Sequence, residues 1–336
     1  MTKVFINEIR ENGLIESIFL VKDKSMGLTR DGNSYLSLRL MDRTGEIKGR
    51  VWENAESSAK LFEKDDFVKV KSRVVNYQGT LQLNITGIIR CSESEVNLKD
   101  FLPESKRNVG EICDELKKVI EQIKDPHLKR LLDLFFTDED LMGRFKKAPA
   151  AKGLHHCYLG GLIEHTHSVV KLIQDVTKQY RGINYDLLIA GGVLHDIGKV
   201  HELSYSRSFD YTDKGRLLGH IVLGVEMVDE KIRQIHGFPE ELCMLLKHLI
   251  ISHHGEYEYG SPKRPKTIEA LILYYLDDLD AKVESVQSFI EKDKGENKKW
   301  TAFHRLFDRF IFKEGGEKGE EEEGRYVHGV KKSEDD

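Results

Sequence analysis

The stretch from residue 187 to 199, LLIAGGVLHDIGK, constrains the fold more than any other part of the chain. Its first eight residues form an apolar run, which is typical of a buried helix. His195 and Asp196 follow directly, so an imidazole and a carboxylate lie side by side where that helix ends. Both are metal-ligand types, and a carboxylate has two oxygen atoms. This pair can therefore bind metal and bridge two cations.

Further histidines and aspartates recur through the second half of the chain, nearly all in or beside segments with helical periodicity. A carboxylate or an unpaired imidazole at the end of an apolar helix is costly unless a partner compensates it. Several such residues on successive helices are explained most simply by a shared cation. Nitrogen and oxygen ligands without sulfur favour manganese, iron, cobalt or zinc. The candidates are His155, His156, His165, His167, His195, Asp196, His201, His220, His253, His254, Asp277, Asp278 and Asp280.

Residues 1–95 show the two-residue alternation of half-buried strands. In residues 35–41, Leu36, Leu38 and Leu40 point one way and the residues between them point the other. We expect about five strands, the first near residues 13–22, and a short helix near residues 55–62. This count and order predict a five-stranded, partly open, all-β barrel, the OB-fold.

The predicted outer surface of this barrel carries basic and aromatic side chains. OB-folds bind single-stranded nucleic acid through such residues, by charge and by stacking. The substrate-binding candidates are Arg39, Trp52 and Tyr77. The alternative stays open, because the outer face of a barrel is polar in any case and Trp52 could simply cover one barrel end.

The periodicity changes after the barrel. We predict that residues 96–150 form a linker and the first helices, since acids, serine and proline are followed by helical spacing. Residues 151–313 contain the histidine series and are predicted to form a helical domain. Residues 314–336 are acidic and of low complexity, and we expect them to be disordered.

Bulk charge does not argue for nucleic-acid binding. Residues 314–336 hold nine acidic and four basic residues and account for the whole net charge of −5. No apolar run is long enough to cross a bilayer, and the N-terminus lacks the pattern of a secretory signal. The four cysteines are scattered and form no Cys-x-x-Cys pair. We therefore predict a cytoplasmic protein with free thiols.

The histidine and aspartate series resembles a known superfamily. Its order, H…HD…H…HH…D on consecutive helices, resembles the HD-domain metal-dependent phosphohydrolases. The phrases GHIVLG at residues 219–224 and GSPKRP at residues 260–265 are more specific, and they are similar to the YhaM-type 3′–5′ exoribonucleases. This resemblance covers most of residues 1–300. It implies an N-terminal OB-fold joined to a C-terminal all-α HD-domain helical bundle.

The resemblance also implies a role for each matching position. Asp196 would bridge two divalent ions, with manganese as the first candidate. The ions would activate a water for in-line attack on phosphorus. Asp280 competes with Asp277 as the closing ligand because residues three apart share a helix face. His254 is either a ligand of the second ion or a phosphate contact. The implied metal ligands are His165, His195, Asp196, His220, His253, His254 and Asp277.

Charged residues near these positions are candidates for substrate contacts. Lys199, one helical turn beyond His195, could contact the scissile phosphate and act in catalysis with Asp196. Arg216, Lys263 and Arg264 are candidates for holding the substrate backbone. Solvated loop charge is the alternative, above all for Lys263. For the four remaining histidines we expect structural or substrate-side roles; these are His155, His156, His167 and His201.

The resemblance implies an exonuclease that degrades single-stranded RNA, and DNA as a further candidate, from the 3′ end. Two alternatives stay open at this point. HD domains also hydrolyse dNTPs, cyclic nucleotides and alarmones, although a small substrate has no use for a strand-binding barrel. A nucleic-acid-binding protein without catalysis is the other alternative. The oligomeric state is open, with a homo-oligomer as one alternative.

Overall fold

The structure, a computed structural model, describes residues 3–29, 31–152, 156–205, 209–293 and 299–313. The predicted disordered tail and His155 lie outside these residues. The chain divides into two compact units, Met1–Ser285 and Val286–Asp336. The barrel, the connector and most of the helices belong to the first unit. The predicted domain boundaries stay predictions.

The N-terminal part forms the predicted five-stranded barrel. Its strands follow the order β1-β2-β3-β5-β4, and the ring is closed where the alternation predicted a partly open one. All neighbouring strands are antiparallel except β3 and β5, which are parallel. The elements are β1 (Leu14–Leu28), β2 (Ser34–Asp42), β3 (Gly45–Val51), α1 (Ala55–Ala59), β4 (Phe67–Tyr77) and β5 (Thr80–Arg90).

The barrel interior is built from the alternating apolar side chains. Leu36, Leu38 and Leu40 are buried together with Val68 and Val70 from β4. Neighbouring residues on the same strands therefore face outward, because successive side chains of a strand point to opposite faces. The alternation thus fixes which residues of the barrel are available to a ligand.

The connector, residues 91–108, packs on both the barrel and the helices. Phe101 is buried against Phe67 of β4, with ring centroids 4.7 Å apart. Further along, the backbone N–H of Ser105 donates to the carbonyl of Leu159, just ahead of the fifth helix. The connector is therefore an ordered part of the first unit.

The helices of residues 109–276 share one hydrophobic core, so the first helices pack with those that carry the histidines. Two short strands interrupt them. The elements are α2 (Val109–Glu121), α3 (Pro126–Phe136), α4 (Glu139–Phe145), α5 (Gly161–Val176), α6 (Tyr185–Leu194), α7 (Lys199–Glu202), β6 (Leu203–Ser204), β7 (Asp210–Tyr211), α8 (Asp213–Ile232), α9 (Glu240–Ser252) and α10 (Ile268–Lys292).

Helix α6 lies at the centre of this core, as its all-apolar sequence predicted. Every residue from Leu187 to Leu194 is buried. A Cβ at Gly191 would lie 2.3 Å from Leu249 of α9, and one at Gly192 would lie 2.5 Å from Ile173 of α5. The two glycines therefore allow α5 and α9 to approach α6 closely. This approach brings the C-terminal end of α6 near residues of both neighbouring helices.

The second unit contains a hairpin that the sequence did not predict. Strands β8 (Trp300–His304) and β9 (Arg309–Phe312) pair in antiparallel fashion. The region expected to be wholly helical thus ends with a small sheet. Across the described residues, no helix combines the length and apolar character needed to span a membrane.

Candidate metal centre

Seven side chains predicted to bind metal converge at one place in the helical bundle. They come from five different helices or helix ends, so their proximity is a product of the tertiary fold. His195 is the cap residue after α6, and His253 is the cap residue after α9. The others are on α5, α8 and α10 or directly beside these caps. The converging residues are His165, His195, Asp196, His220, His253, His254 and Asp277.

A first group of ligand atoms surrounds the facing Nε2 atoms of His165 and His195, which lie 3.2 Å apart. Oδ1 of Asp277 lies 3.0 Å from Nε2 of His165 and 3.7 Å from Nε2 of His195. Oδ2 of Asp196 lies 3.5 Å and 3.4 Å from the same two atoms. Two imidazoles and two carboxylates therefore point at one small space.

A second group faces the other oxygen of Asp196. Oδ1 of Asp196 lies 3.5 Å from Nε2 of His220 and 3.6 Å from Nε2 of His253. All three atoms are buried, and none has a hydrogen-bond partner among the described residues. His254 offers a further nitrogen, within 4.8 Å of those of His220 and His253. Asp196 therefore faces both groups at once.

Each of the five imidazoles is held through its Nδ1 atom, which leaves Nε2 directed at the centre. Nδ1 donates to a backbone carbonyl in His195, His253 and His254, at 2.9, 2.6 and 2.9 Å. Nδ1 donates to a carboxylate in His165 and His220, at 2.7 and 2.9 Å. A proton on Nδ1 leaves a lone pair on Nε2, which is the form of histidine that binds metal.

The two groups fit divalent metal. Two Nε2 lone pairs facing each other at 3.2 Å need a positive charge between them, and buried nitrogen and oxygen atoms without partners need one as well. Burial lowers the pKa of His195, but without a cation Asp196 and Asp277 together outweigh burial and raise the pKa to about 10, so a proton occupies the position that a cation would take. Burial lowers the pKa of His253, whose imidazole stays neutral. The donor set itself suits manganese, iron, cobalt or zinc.

Lys199 is buried and contacts Asp196 directly. Its Nζ donates to Oδ2 of Asp196 at 2.6 Å. Burial raises the pKa of Asp196, but the charges of Lys199 and His195 outweigh it and hold the pKa well below its usual range. The bridging candidate is therefore a carboxylate at neutral pH, with a fixed ammonium group beside it.

Asp277 and Asp280 occupy different sides of the His165 ring. Asp277 lies at Nε2, within the first group, whereas Asp280 accepts from Nδ1. Ser168 also donates a short hydrogen bond to Asp280. This geometry favours Asp277 as the ligand and Asp280 as the residue that orients His165.

The remaining described histidines lie outside the two groups. His156 is buried, with Nε2 3.1 Å from Asp280 and Nδ1 2.7 Å from the hydroxyl of Tyr158. His167 contacts Glu115 at 2.6 Å, and His201 lines a separate cavity. The structural or substrate-side roles expected for them stay predictions.

The three side chains predicted to hold the substrate backbone are exposed, and two of them form ion pairs within the protein. Arg216 donates to Asp210 at 3.0 Å, and Nε of Arg264 lies 2.8 Å from Glu256. Lys263 is exposed on the same loop as Arg264. Their roles stay predictions.

Arg50 links the aromatic candidates of the barrel. Its guanidinium lies over the rings of Tyr35, Trp52 and Tyr77, at 5.3, 5.4 and 5.8 Å from their centroids. Trp52 and Tyr77 are about half exposed. Arg39 is also exposed, 3.9 Å from Glu46. An exposed cluster of rings around a cation is an arrangement on which bases can stack.

Glu202 is a residue beside the centre that the sequence did not single out. Its Oε1 accepts from both the backbone N–H and Nδ1 of His220, each at 2.9 Å. The contact depends on Gly219, whose φ of 74° and ψ of 159° break the helical path just before His220. That glycine in GHIVLG is the signal that could have indicated a turn of the chain there.

Two family descriptions match the two parts of this fold. The HD domain family matches residues 162–282, which include all seven converging side chains. The family described as an OB-fold nucleic acid binding domain matches residues 15–90, the barrel. The predicted fold class is confirmed, an all-β barrel followed by an HD-domain helical bundle.

Similar proteins extend over most of the chain. The 3′–5′ exoribonuclease YhaM of Bacillus subtilis (strain 168) is 35% identical over 292 residues, which cover 87% of this chain and 91% of that protein. The YhaM protein of Geobacillus sp. (strain WCH70) is 34% identical, with 83% and 86% covered. The second OB-fold domain of replication protein A from Methanococcus maripaludis, a solved structure, is 24% identical and covers 27% of this chain and 96% of its own, with a TM-score of 0.23. By its identity to the two curated relatives over most of both lengths, the chain belongs to the YhaM 3′–5′ exoribonuclease family.

Proposed function

We propose that the chain is a metal-dependent 3′–5′ exonuclease that hydrolyses phosphodiester bonds of single-stranded RNA. One observation carries the catalytic part, namely that Asp196 presents its two oxygen atoms to two separate groups of imidazole nitrogens. Relatives named as 3′–5′ exoribonucleases support the substrate and the polarity. The geometry and the family membership therefore favour the same reaction.

The two groups suit two divalent ions that share Asp196. His165, His195 and Asp277 would hold one ion together with Oδ2, and His220, His253 and His254 would hold the other together with Oδ1. When bound, such ions provide Lewis acidity at the phosphoryl oxygens and a water of lowered pKa as the nucleophile. Manganese is the first candidate, and iron, cobalt and zinc suit the same donors.

The protein itself supplies orientation and charge. Asp280 and Glu202 fix the rings of His165 and His220, so that Nε2 of each points inward. Lys199 holds the carboxylate of Asp196 and contributes a buried positive charge, which favours the developing charge of a phosphoryl group under attack. We therefore assign catalytic roles to Asp196 and Lys199.

The barrel would grip the strand ahead of the cut. Its cluster of Arg50 with Tyr35, Trp52 and Tyr77 supports stacking of bases, which is tolerant of sequence. Base stacking does not by itself separate RNA from DNA, so the preference for RNA rests on the relatives. Arg216, Lys263 and Arg264 stay candidates for contacts to the backbone near the metal centre.

Digestion of single-stranded RNA labelled at its 5′ end tests the proposal. With Mn²⁺ present, we expect a descending ladder from full length on a sequencing gel, and no ladder with a chelator. The same assay is repeated with DNA of the same sequence, and hydrolysis of dNTPs and cyclic nucleotides is measured in parallel. Release of the labelled 5′ nucleotide as the first product would contradict the polarity, and hydrolysis of nucleotides without RNA turnover would contradict the substrate.

Two variants test whether this cleavage depends on the candidate metal centre. Asp196→Asn keeps the shape of the side chain but removes its charge, and we expect turnover to fall about 1000-fold or more, equivalent to about 4 kcal/mol. Asp114→Asn, on the exposed face of α2, is the matched control and should retain activity. The homo-oligomer and the cytoplasmic location stay predictions, and light scattering of the full chain would test the first.

A further inference from the structure

A cavity of about 1200 Å³ lies in the first unit between the connector and the surface of the helical bundle. Lys99 and Arg107 of the connector line one side. Arg144, Lys146 and Lys147 at the end of α4 line another, and α7, β6 and the start of α8 line a third. Its walls therefore come from the segment that leaves the barrel and from the helical bundle, including α8, which carries the candidate ligand His220.

Positive charge dominates this cavity. Six lysines and arginines line it, the sixth being Lys214, against two carboxylates, Glu104 and Asp213. Within the described parts of the chain, Lys146, Lys147 and Lys214 form no ion pair. Burial lowers the pKa of His201 in the cavity wall, and the charges of Arg144 and Lys214 lower it further. Lys99 pairs with Glu104 at 3.4 Å and Arg144 pairs with Asp140 at 3.2 Å, which leaves Lys146, Lys147 and Lys214 uncompensated, and these three favour an anionic ligand.

The size and lining of the cavity favour a chain of nucleotides. Its volume exceeds the roughly 300–1,000 Å³ of ordinary small-molecule pockets. Apolar side chains, including Val109, Leu159 and Leu203, line it between the cations, and Tyr205 adds a ring. A single phosphate would be bound best by cations that converge at one point. Here they are spread over three segments, which matches a strand with one phosphate per nucleotide.

The cavity is distinct from the metal centre. The short helix α7 lies between them, since Lys199 and Glu202 contact Asp196 and His220 on one side. Val200 and His201 of the same helix line the cavity. A ligand in the cavity would therefore contact the segment that holds the centre without entering it.

We propose that this basic cavity binds the phosphodiester backbone of the RNA strand, as an anchor separate from the barrel and from the metal centre. The inference rests on the proposed function for the identity of the strand. It assigns strand binding to Lys146, Lys147 and Lys214. Each neutralises a phosphate and releases counterions, so binding through the cavity depends on salt.

The test compares two triple variants of the full chain. Lys146→Gln, Lys147→Gln and Lys214→Gln together remove three charges from the cavity. Lys118→Gln, Lys124→Gln and Arg233→Gln remove three exposed charges that do not line it. Fluorescence anisotropy with a labelled single-stranded RNA, in chelator to prevent cleavage, gives Kd at several salt concentrations. The melting temperature and a Mn²⁺ titration of each variant report on its fold and metal centre.

We expect the cavity variant to bind RNA at least about tenfold more weakly than the control variant. The plot of log affinity against log salt should become less steep, and the magnitude of its slope should be smaller by about 2, at about 0.7 for each lost phosphate contact. Equal affinities and slopes in the two variants would overturn the inference. The inference would also be overturned if the cavity variant bound RNA as the control does but no longer bound AMP in a calorimetric titration. That result would make the cavity a mononucleotide site. A wild-type chain that binds RNA without degrading it would contradict the proposed function, and the slope comparison would still decide this inference.

Discussion

Oδ2 of Asp280 lies 2.7 Å from Nδ1 of His165, on the side of the ring away from the metal centre. Asp277, one turn earlier on α10, approaches the opposite side, with its Oδ1 3.0 Å from Nε2. Two carboxylates three residues apart thus hold one imidazole between them. The pair explains why both aspartates looked like ligands in the sequence and why their removal should have different effects.

Replacement of the two aspartates should separate their roles. Asp280→Ala removes an orienting partner, and we expect Mn²⁺ affinity to fall about 10- to 100-fold while two ions still bind. Asp277→Ala removes a ligand, and we expect one of the two ions to be lost. Calorimetric titration with Mn²⁺ measures both. Asp278→Ala is the matched control, since Asp278 pairs with Lys282 on the same helix. An Asp280 variant that binds like this control would contradict the assignment.

Glu202 should tune the second group alone. Glu202→Gln keeps an oxygen for the backbone N–H of His220 but weakens the charge-assisted bond to Nδ1. We expect about tenfold weaker binding of one ion and unchanged binding of the other. The same titration measures this, with Glu226→Gln on the exposed face of α8 as control. Equal weakening of both ions would mean that Glu202 acts on the whole fold.

Divalent metal should stabilise the folded chain. The candidate ligands come from five helices or helix ends and are assembled only by folding, so we expect Mn²⁺ to bind the native state in preference to the unfolded one. At 100 times Kd, one site adds about 2.7 kcal/mol to the free energy of unfolding. Denaturant unfolding with and without Mn²⁺ measures the gain. Asp196→Asn should lose most of it, and an equal gain in that variant would place the metal elsewhere.

The aromatic cluster of the barrel should contribute to strand binding. Trp52→Ala removes a half-exposed ring that lies against both Tyr35 and Arg50. Stacking contributes about 1–3 kcal/mol for each base, so Kd for RNA should rise about 5- to 150-fold. Anisotropy with labelled RNA measures the change. Ile89→Ala, an exposed apolar residue elsewhere on the barrel, is the control. Unchanged affinity would favour the reading in which Trp52 only covers a barrel end.

The parts of the fold that the sequence predicted well are those with a regular pattern. The alternation in β2 and the all-apolar run of α6 each identify a buried surface without help from the rest of the chain. Strand β1 was predicted too short, because an irregularity in register between Val21 and Asp23 interrupts its alternation while pairing with β2 continues. The β8–β9 hairpin was missed because two strands of five and four residues leave little pattern to detect.

Some features of the candidate site could likewise be predicted from the sequence, and others could not. The residue types of the candidate ligands and their convergence could be expected, because buried histidines and aspartates at helix ends need a cation. Their partners could not, since the contact between Glu202 and His220 arises from a turn of the backbone at Gly219. The choice between Asp277 and Asp280 likewise needed the position of the His165 ring, which spacing along α10 does not give.

The central claim is that Asp196 joins two metal sites, and anomalous diffraction from crystals grown with Mn²⁺ tests it most directly. We expect two anomalous peaks, each in contact with one oxygen atom of Asp196, one beside His165 and His195 and the other beside His220 and His253. A single peak, or two peaks of which only one contacts Asp196, would contradict the account.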